Sequence, residues 1–115
     1  MDVDAFVAEL LRALADTGLF DRVELGTEGP IADGYAYTQG QSDLLVRFYF
    51  NQRTQTMAFA LIHKGRRVWG IDRDNRRGWH SHPVDNPASH LQIDPLSVSD
   101  IMARLRDALE EEKND

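Results

Sequence analysis

Three consecutive runs between residues 43 and 72 constrain what this 115-residue chain can fold into. Residues 43–51 alternate, with Leu44, Val46, Phe48 and Phe50 on one side and Leu45, Arg47 and Tyr49 on the other. A period of two residues is that of a half-buried strand. Residues 56–63 and 66–72 read as two further strands, with a turn at 51–55 before them and Lys64-Gly65 between them. A two-residue turn at Lys64-Gly65 lets the pairing be counted outward: His63 faces Arg66, Leu61 faces Val68, Ala60 faces Trp69 and Phe59 faces Gly70. Residues 19–25, 34–38 and 79–82 are shorter strand candidates, and 26–34 and 84–95 read as loops.

The two ends of the chain have the other periodicity. Residues 4–17 place Phe6, Val7, Leu10, Leu11 and Leu14 on one helical stripe, with Asp2 or Asp4 as the cap and Gly18 as the stop. Ser97 opens a second helix, with Asp100 in capping-box position and Ile101, Met102, Leu105, Ala108 and Leu109 as its stripe. The charged end, residues 110–115, is expected to fray. Each helix has a single apolar stripe, so both must pack on a sheet. The expected fold is therefore α+β: one domain, 1–115, built as a two-layer sandwich. It has an N-terminal helix, a four- to five-stranded mostly antiparallel sheet and a C-terminal helix. The far sheet face would carry Arg47, Tyr49, several arginines and part of the histidine cluster. Both sides of the central strands hold apolar residues, which leaves the helix-facing parity open and allows a homodimer through the sheet.

Charge divides the chain into thirds. Residues 46–83 hold eight Lys or Arg against two acids, Asp72 and Asp74, while the flanks are acidic and the chain as a whole carries −6. A field that reverses along the chain still offers one basic surface to a polyanion. With no cysteine, disulfides, thiolate nucleophiles and Cys-ligated zinc are excluded. No apolar run approaches the ~20 residues of a membrane span, and the acidic Met1-Asp2-Val3-Asp4 start does not resemble a signal peptide. A cytoplasmic protein with no membrane partner is expected.

The basic third ends in Gly78-Trp79-His80-Ser81-His82-Pro83. In an extended segment His80 and His82 share a face, so their imidazoles can act as acid and base near neutral pH. They can equally serve only as hydrogen-bonding groups at a strand end. A metal held with His90, Asp72, Asp74 or Asp85 is a further alternative, but no diagnostic ligand spacing accompanies it, and no metal or cofactor is expected. Asp72 and Asp74 can orient an imidazole, although Asp74-Asn75 is also ordinary turn chemistry. Arg73, Arg76 and Arg77, with Asn75 and Trp79, are the candidate substrate-binding groups. Basic residues interleaved with Tyr35, Tyr37, Tyr49 and Trp79 suit single-stranded nucleic acid; Trp69 reads as core.

The runs Leu45-Val46-Arg47-Phe48-Tyr49-Phe50 and Arg66-Arg67-Val68-Trp69-Gly70-Ile71-Asp72, then Asp74-Asn75, His80-Ser81-His82-Pro83 and His90, resemble the TumE-type toxin family of toxin–antitoxin modules. The likeness covers about residues 43–109. Asp74, Asn75, His80, His82 and His90 match the family's Asp-Asn and histidine positions. Asn75-Arg76-Arg77-Gly78-Trp79 stands where that family usually has Asn-Ala-Pro-His-His. The resemblance implies a toxin-module component with an antitoxin-like protein partner and an activity on RNA. In such a cleavage His80, His82 and His90 would be the catalytic candidates, without a metal. The alternative is a non-enzymatic module that binds a protein through its sheet or its basic face.

Overall fold

Alternation at the centre and helical periodicity at the ends build the α+β architecture, seen here in a computed structural model that describes residues 1–113. Helix α1 (Val3–Thr17) is followed by strands β1 (Phe20–Glu28), β2 (Ile31–Thr38), β3 (Leu44–Asn51), β4 (Thr56–His63), β5 (Arg66–Asp74), β6 (Gly78–His82) and β7 (Leu91–Gln92), then by helix α2 (Val98–Lys113). The strands form one sheet in chain order, each antiparallel to its neighbours. The sheet therefore has seven strands rather than four or five. Residues 26–34 are not a loop but the ends of β1 and β2 around a tight turn, and β7 lies inside the expected loop 84–95. Glycines and prolines marked these places correctly as turns but concealed how far the strands run into them.

Both helices lie on the sheet face that carries Leu44, Val46, Phe48, Phe50, Phe59 and Leu61, all fully buried. Phe6 of α1 stacks on Phe50 with ring centroids 4.6 Å apart, and Phe59 is the next ring. Asp2 caps α1 by accepting from the Ala5 amide at 2.7 Å, and Gly18 closes it. Leu11 departs from the expected stripe: it is exposed, and Val3 and Ala13 take buried positions instead. The α2 stripe is buried as the periodicity requires, and Ser97 and Asp100 form the reciprocal capping box. The helix runs on through Glu110–Glu112 to Lys113 rather than fraying there; residues 114–115 lie outside the described part. Among the described residues no helix is long and apolar enough to cross a membrane.

One register differs from the outward count, and it positions everything that follows. Lys64 and Gly65 both have positive φ, so the two-residue turn and the His63–Arg66 pair are as expected. A β-bulge then leaves Val68 unpaired, and Leu61 faces Trp69, Ala60 faces Gly70 and Phe59 faces Ile71. One extra residue moves each later side chain to the opposite face. Trp69 and Ile71 enter the core, while Gly70 and Asp72 turn to the open face.

Candidate functional site

Alternation along β6 sends His80 and His82 to the open face and leaves Trp79 leaning on the core. Pairing with β5 sets Asp72 opposite His80, and Gly70 opposite His82. The Asp72 carboxylate thus stands beside both rings, its Oδ2 3.0 Å from His82 Nε2 and 3.3 Å from His80 Nε2. The other ring nitrogens face backbone carbonyls: His80 Nδ1 is 3.3 Å from Gly78 O, and His82 Nδ1 is 3.2 Å from Pro87 O. Gly70 makes room for this arrangement, since a Cβ there would lie 3.4 Å from His82 Cδ2 and 3.1 Å from Phe59 O.

The loop after β6 folds back over the pair. Its return is held by β7 and by the Ile93 amide, which donates to Trp79 O at 3.1 Å. His90 arrives 4.6 Å from His82 and 5.4 Å from His80 between ring centroids. Ligand nitrogens of the three rings lie within 4.8 Å of one another. His82 is 1% exposed and His80 5%, so of the three only His90 presents its ring to solvent. Partial desolvation, then the positive charge of Arg77, push the His90 imidazole below its ordinary value; the neighbouring rings and Arg67 add to this. A ring held neutral can accept a proton or a metal ion.

The arginines divide by what they touch. Arg77 Nη1 donates to His90 Nδ1 at 3.0 Å. Arg67 Nη2 donates to Pro87 O at 3.3 Å and lies 3.5 Å from His82 Nδ1. Arg73 is drawn away: it donates to Thr54 O, Gln55 O and Asn75 Oδ1, tying β5 to the β3–β4 turn. Arg76 and Asn75 are exposed at the β5–β6 turn. Asp74 belongs to that turn as well. It accepts the Arg77 and Arg76 amides at 2.6 and 2.9 Å, and these bonds hold its carboxyl below the usual range. The structure thus gathers Asp72, His80, His82, His90 and Arg77 of the expected site. Arg73 and Asp74 lie off the cluster but border the open face beside Asp72, while Asn75, Arg76 and Trp79 make their contacts elsewhere.

Gly70 and the Pro87 carbonyl had escaped the sequence reading, and Arg67 belonged to it only as one of the arginines of the basic third. A glycine inside a strand is a signal of close approach, and Gly70 could have been read that way. The fourth histidine belongs to the scaffold. His63 Nδ1 sits 2.6 Å from Glu112 Oε1 and fastens β4 to the end of α2.

Next to the cluster, cross-strand rows of the open face run Tyr35–Arg47–Ala60–Gly70–His82 and Asp33–Tyr49–Ala58–Asp72–His80. Three small residues in the middle, Ala58, Ala60 and Gly70, leave that stretch low. A trough of about 440 Å³ results, lined by Arg47, Tyr49, Ala58, Ala60, Arg67 and Asp72 among others. Asp72 belongs to the trough and to the imidazole cluster alike.

Fold and site together define a class: an antiparallel sheet roofed by helices on one face, with a carboxylate–imidazole cluster at one end of the open face. Comparison with protein-family models, curated proteins and solved structures finds no match to this chain.

Proposed function

We propose that the open face binds single-stranded RNA and that the imidazole cluster is where a phosphodiester is acted on, in a cytoplasmic toxin-module-like protein. The observation that carries this reading is the shared position of Asp72, which lines a basic, aromatic-edged trough and contacts both buried rings. A base would stack on Tyr49 or Tyr35, with phosphates on Arg47, Arg67 and Arg77. The burial of His80 and His82 shifts the proton-accepting role toward His90, the solvent-facing ring, with Asp72 and the buried pair holding the geometry. Arg67 and Arg77 would stabilise charge developing on phosphorus.

The test uses purified protein and short single-stranded RNA. Three phosphate contacts imply a slope of log affinity on log salt near −2, at about −0.7 per contact on a single strand. His90→Ala should cut cleavage by about 100-fold, the scale of one general base. Arg47→Ala should weaken binding at every sequence tested. Absence of salt-dependent binding, or full cleavage by His90→Ala, rejects the reading.

A second reading, a protein-binding module for an antitoxin-like partner or a second copy, is favoured by one feature. Leu45 and Ile62 on the open face, half-buried with no layer above them among the described residues, and the exposed Val23 on edge strand β1 could pack against another chain. Light scattering and co-expression with an adjacent antitoxin-like gene distinguish it: a stable complex with no RNA binding would select it.

A further inference from the structure

We infer that His80, His82 and Asp72, closed by His90, form a binding site for a divalent transition ion of the zinc class. The inference goes beyond the RNA reading and stands on geometry alone. Three rings and one carboxylate supply the donors. Nε2 of His80 and Nε2 of His82 lie 3.3 and 3.0 Å from Asp72 Oδ2, and a nitrogen of each of the three rings lies within 4.8 Å of the other two. Tetrahedral coordination with bonds of about 2.0–2.1 Å separates neighbouring ligand atoms by about 3.3–3.4 Å. The carboxylate–imidazole spacings already approach that edge length, and His90, on the exposed loop, is the ring with freedom to close the fourth corner.

The outward-facing nitrogens support the same conclusion. Nδ1 of His80 faces Gly78 O, and Nδ1 of His82 faces Pro87 O. A neutral imidazole has a single N–H. If Nδ1 carries it and donates to the carbonyl, both Nε2 lone pairs point at the carboxylate oxygen, lone pair against lone pair. If Nε2 carries it, both Nδ1 lone pairs face carbonyl oxygens. A cation between the Nε2 atoms and Oδ2 fits the first tautomer, in which each Nδ1–H donates to its carbonyl. Backbone carbonyls that accept from the distal ring nitrogen are the usual outer support of metal-bound histidine. Three imidazoles to one carboxylate suit zinc, nickel or cobalt rather than magnesium or calcium.

Two guanidinium groups border the site, Arg67 near His82 and Arg77 on His90. With a divalent ion added, the local charge is strongly positive. A ligand that displaced His90 or water from the ion would therefore be an anion, and a phosphate oxygen fits that requirement. In that case the ion would join Arg67 and Arg77 as the electrophile of the RNA reading.

The experiment uses the full chain without a histidine tag, stripped with chelator. Zinc is titrated calorimetrically, and cobalt is followed by its visible absorption. Uptake of one ion per chain is expected, with a dissociation constant below about 1 µM and a cobalt spectrum of tetrahedral intensity. His82→Gln should weaken binding by at least about 100-fold, and His90→Ala by about 10-fold. His90 is exposed, so its removal tests the site without endangering the fold. His63→Gln, outside the cluster, should bind as wild type does. No saturable uptake by wild-type protein, or wild-type affinity in both His82→Gln and His90→Ala, overturns the inference. Uptake without any effect on RNA overturns only the previous proposal; cleavage by stripped protein that takes up no ion overturns only this one.

Discussion

Removing the Asp72 carboxylate should be the most costly single change on the open face. Its Oδ2 is the side-chain partner of Nε2 on both His80 and His82, two rings almost wholly withdrawn from water. Asp72→Ala leaves both ring nitrogens without that partner, and a buried polar group so orphaned costs about 1–3 kcal/mol. The Asp72 side chain is itself 27% exposed, so water can enter the space it vacates and offset part of the loss. The expected destabilisation is then about 2–3 kcal/mol, toward the lower end of two such penalties. Asp72→Asn keeps the shape, accepting through Oδ1 and donating through Nδ2, and should cost only about 1 kcal/mol. Urea unfolding at neutral pH, in chelator so that no ion intervenes, measures both. A double-mutant cycle with His82→Ala should return a coupling of about 1 kcal/mol or more, because the two side chains share one contact. An alanine variant within about 0.5 kcal/mol of wild type would refute the assignment, since that is the scatter of an uninvolved surface site. So would a cycle that sums to zero.

Gly70→Ala should destabilise by about 1–2 kcal/mol, since its Cβ would press on Phe59 O at 3.1 Å and on the His82 ring at 3.4 Å; urea unfolding gives the cost, and unshifted His82 ring resonances would contradict it. Asp74 holds two turn amides, and its folded pKa lies below the ordinary 3.8. A carboxyl depressed on folding stabilises fully above its unfolded value and loses that contribution as pH falls through the folded one. Asp74→Asn should therefore be less stable than wild type by roughly 0.5 kcal/mol at pH 7, a small figure because the turn is solvent-accessible. The gap should close in the acid range below 3.8; a gap that widens there would show that charge is not what Asp74 contributes.

The parts of the fold that were legible are those where one periodicity ran uninterrupted. Thr56–His63 has the bounds expected of it, and β3 differs by one residue, because buried Leu44, Val46, Phe48 and Phe50 alternate without a break. The α2 stripe and its cap were equally plain. Strand β1 was read short because most of its residues are exposed, so no hydrophobic alternation marks its second half. It is held by backbone pairing to β2, and pairing leaves no pattern in side chains. Leu11 shows the converse: a helical stripe drawn from spacing alone is wider than the strip the sheet covers.

The site was legible as a segment but not as a geometry, and the bulge at Val68 explains the difference. Without it, the outward count from Lys64-Gly65 sets Phe59 opposite Gly70, which gives every β5 side chain beyond Val68 the wrong face. Asp72 would then point among the helices, away from His80 and His82. With it, Gly70 and Asp72 face the two rings, and Arg67 comes to lie beside them. Nothing in Arg66-Arg67-Val68-Trp69 marks an extra residue, because both Val68 and Trp69 are apolar and either could face the core. What decides between them is distant: Trp69 fills a place opposite Leu61, and the Asp72 carboxylate reaches the imidazole pair from that register. The geometry of the cluster therefore depends on one extra residue in a hairpin. A variant that deletes Val68 removes only the extra residue, so it should retain the hairpin turn, the Leu61–Trp69 pair and the contact of Asp72 with the imidazoles; histidine ring shifts displaced as far as those of Asp72→Ala would refute this.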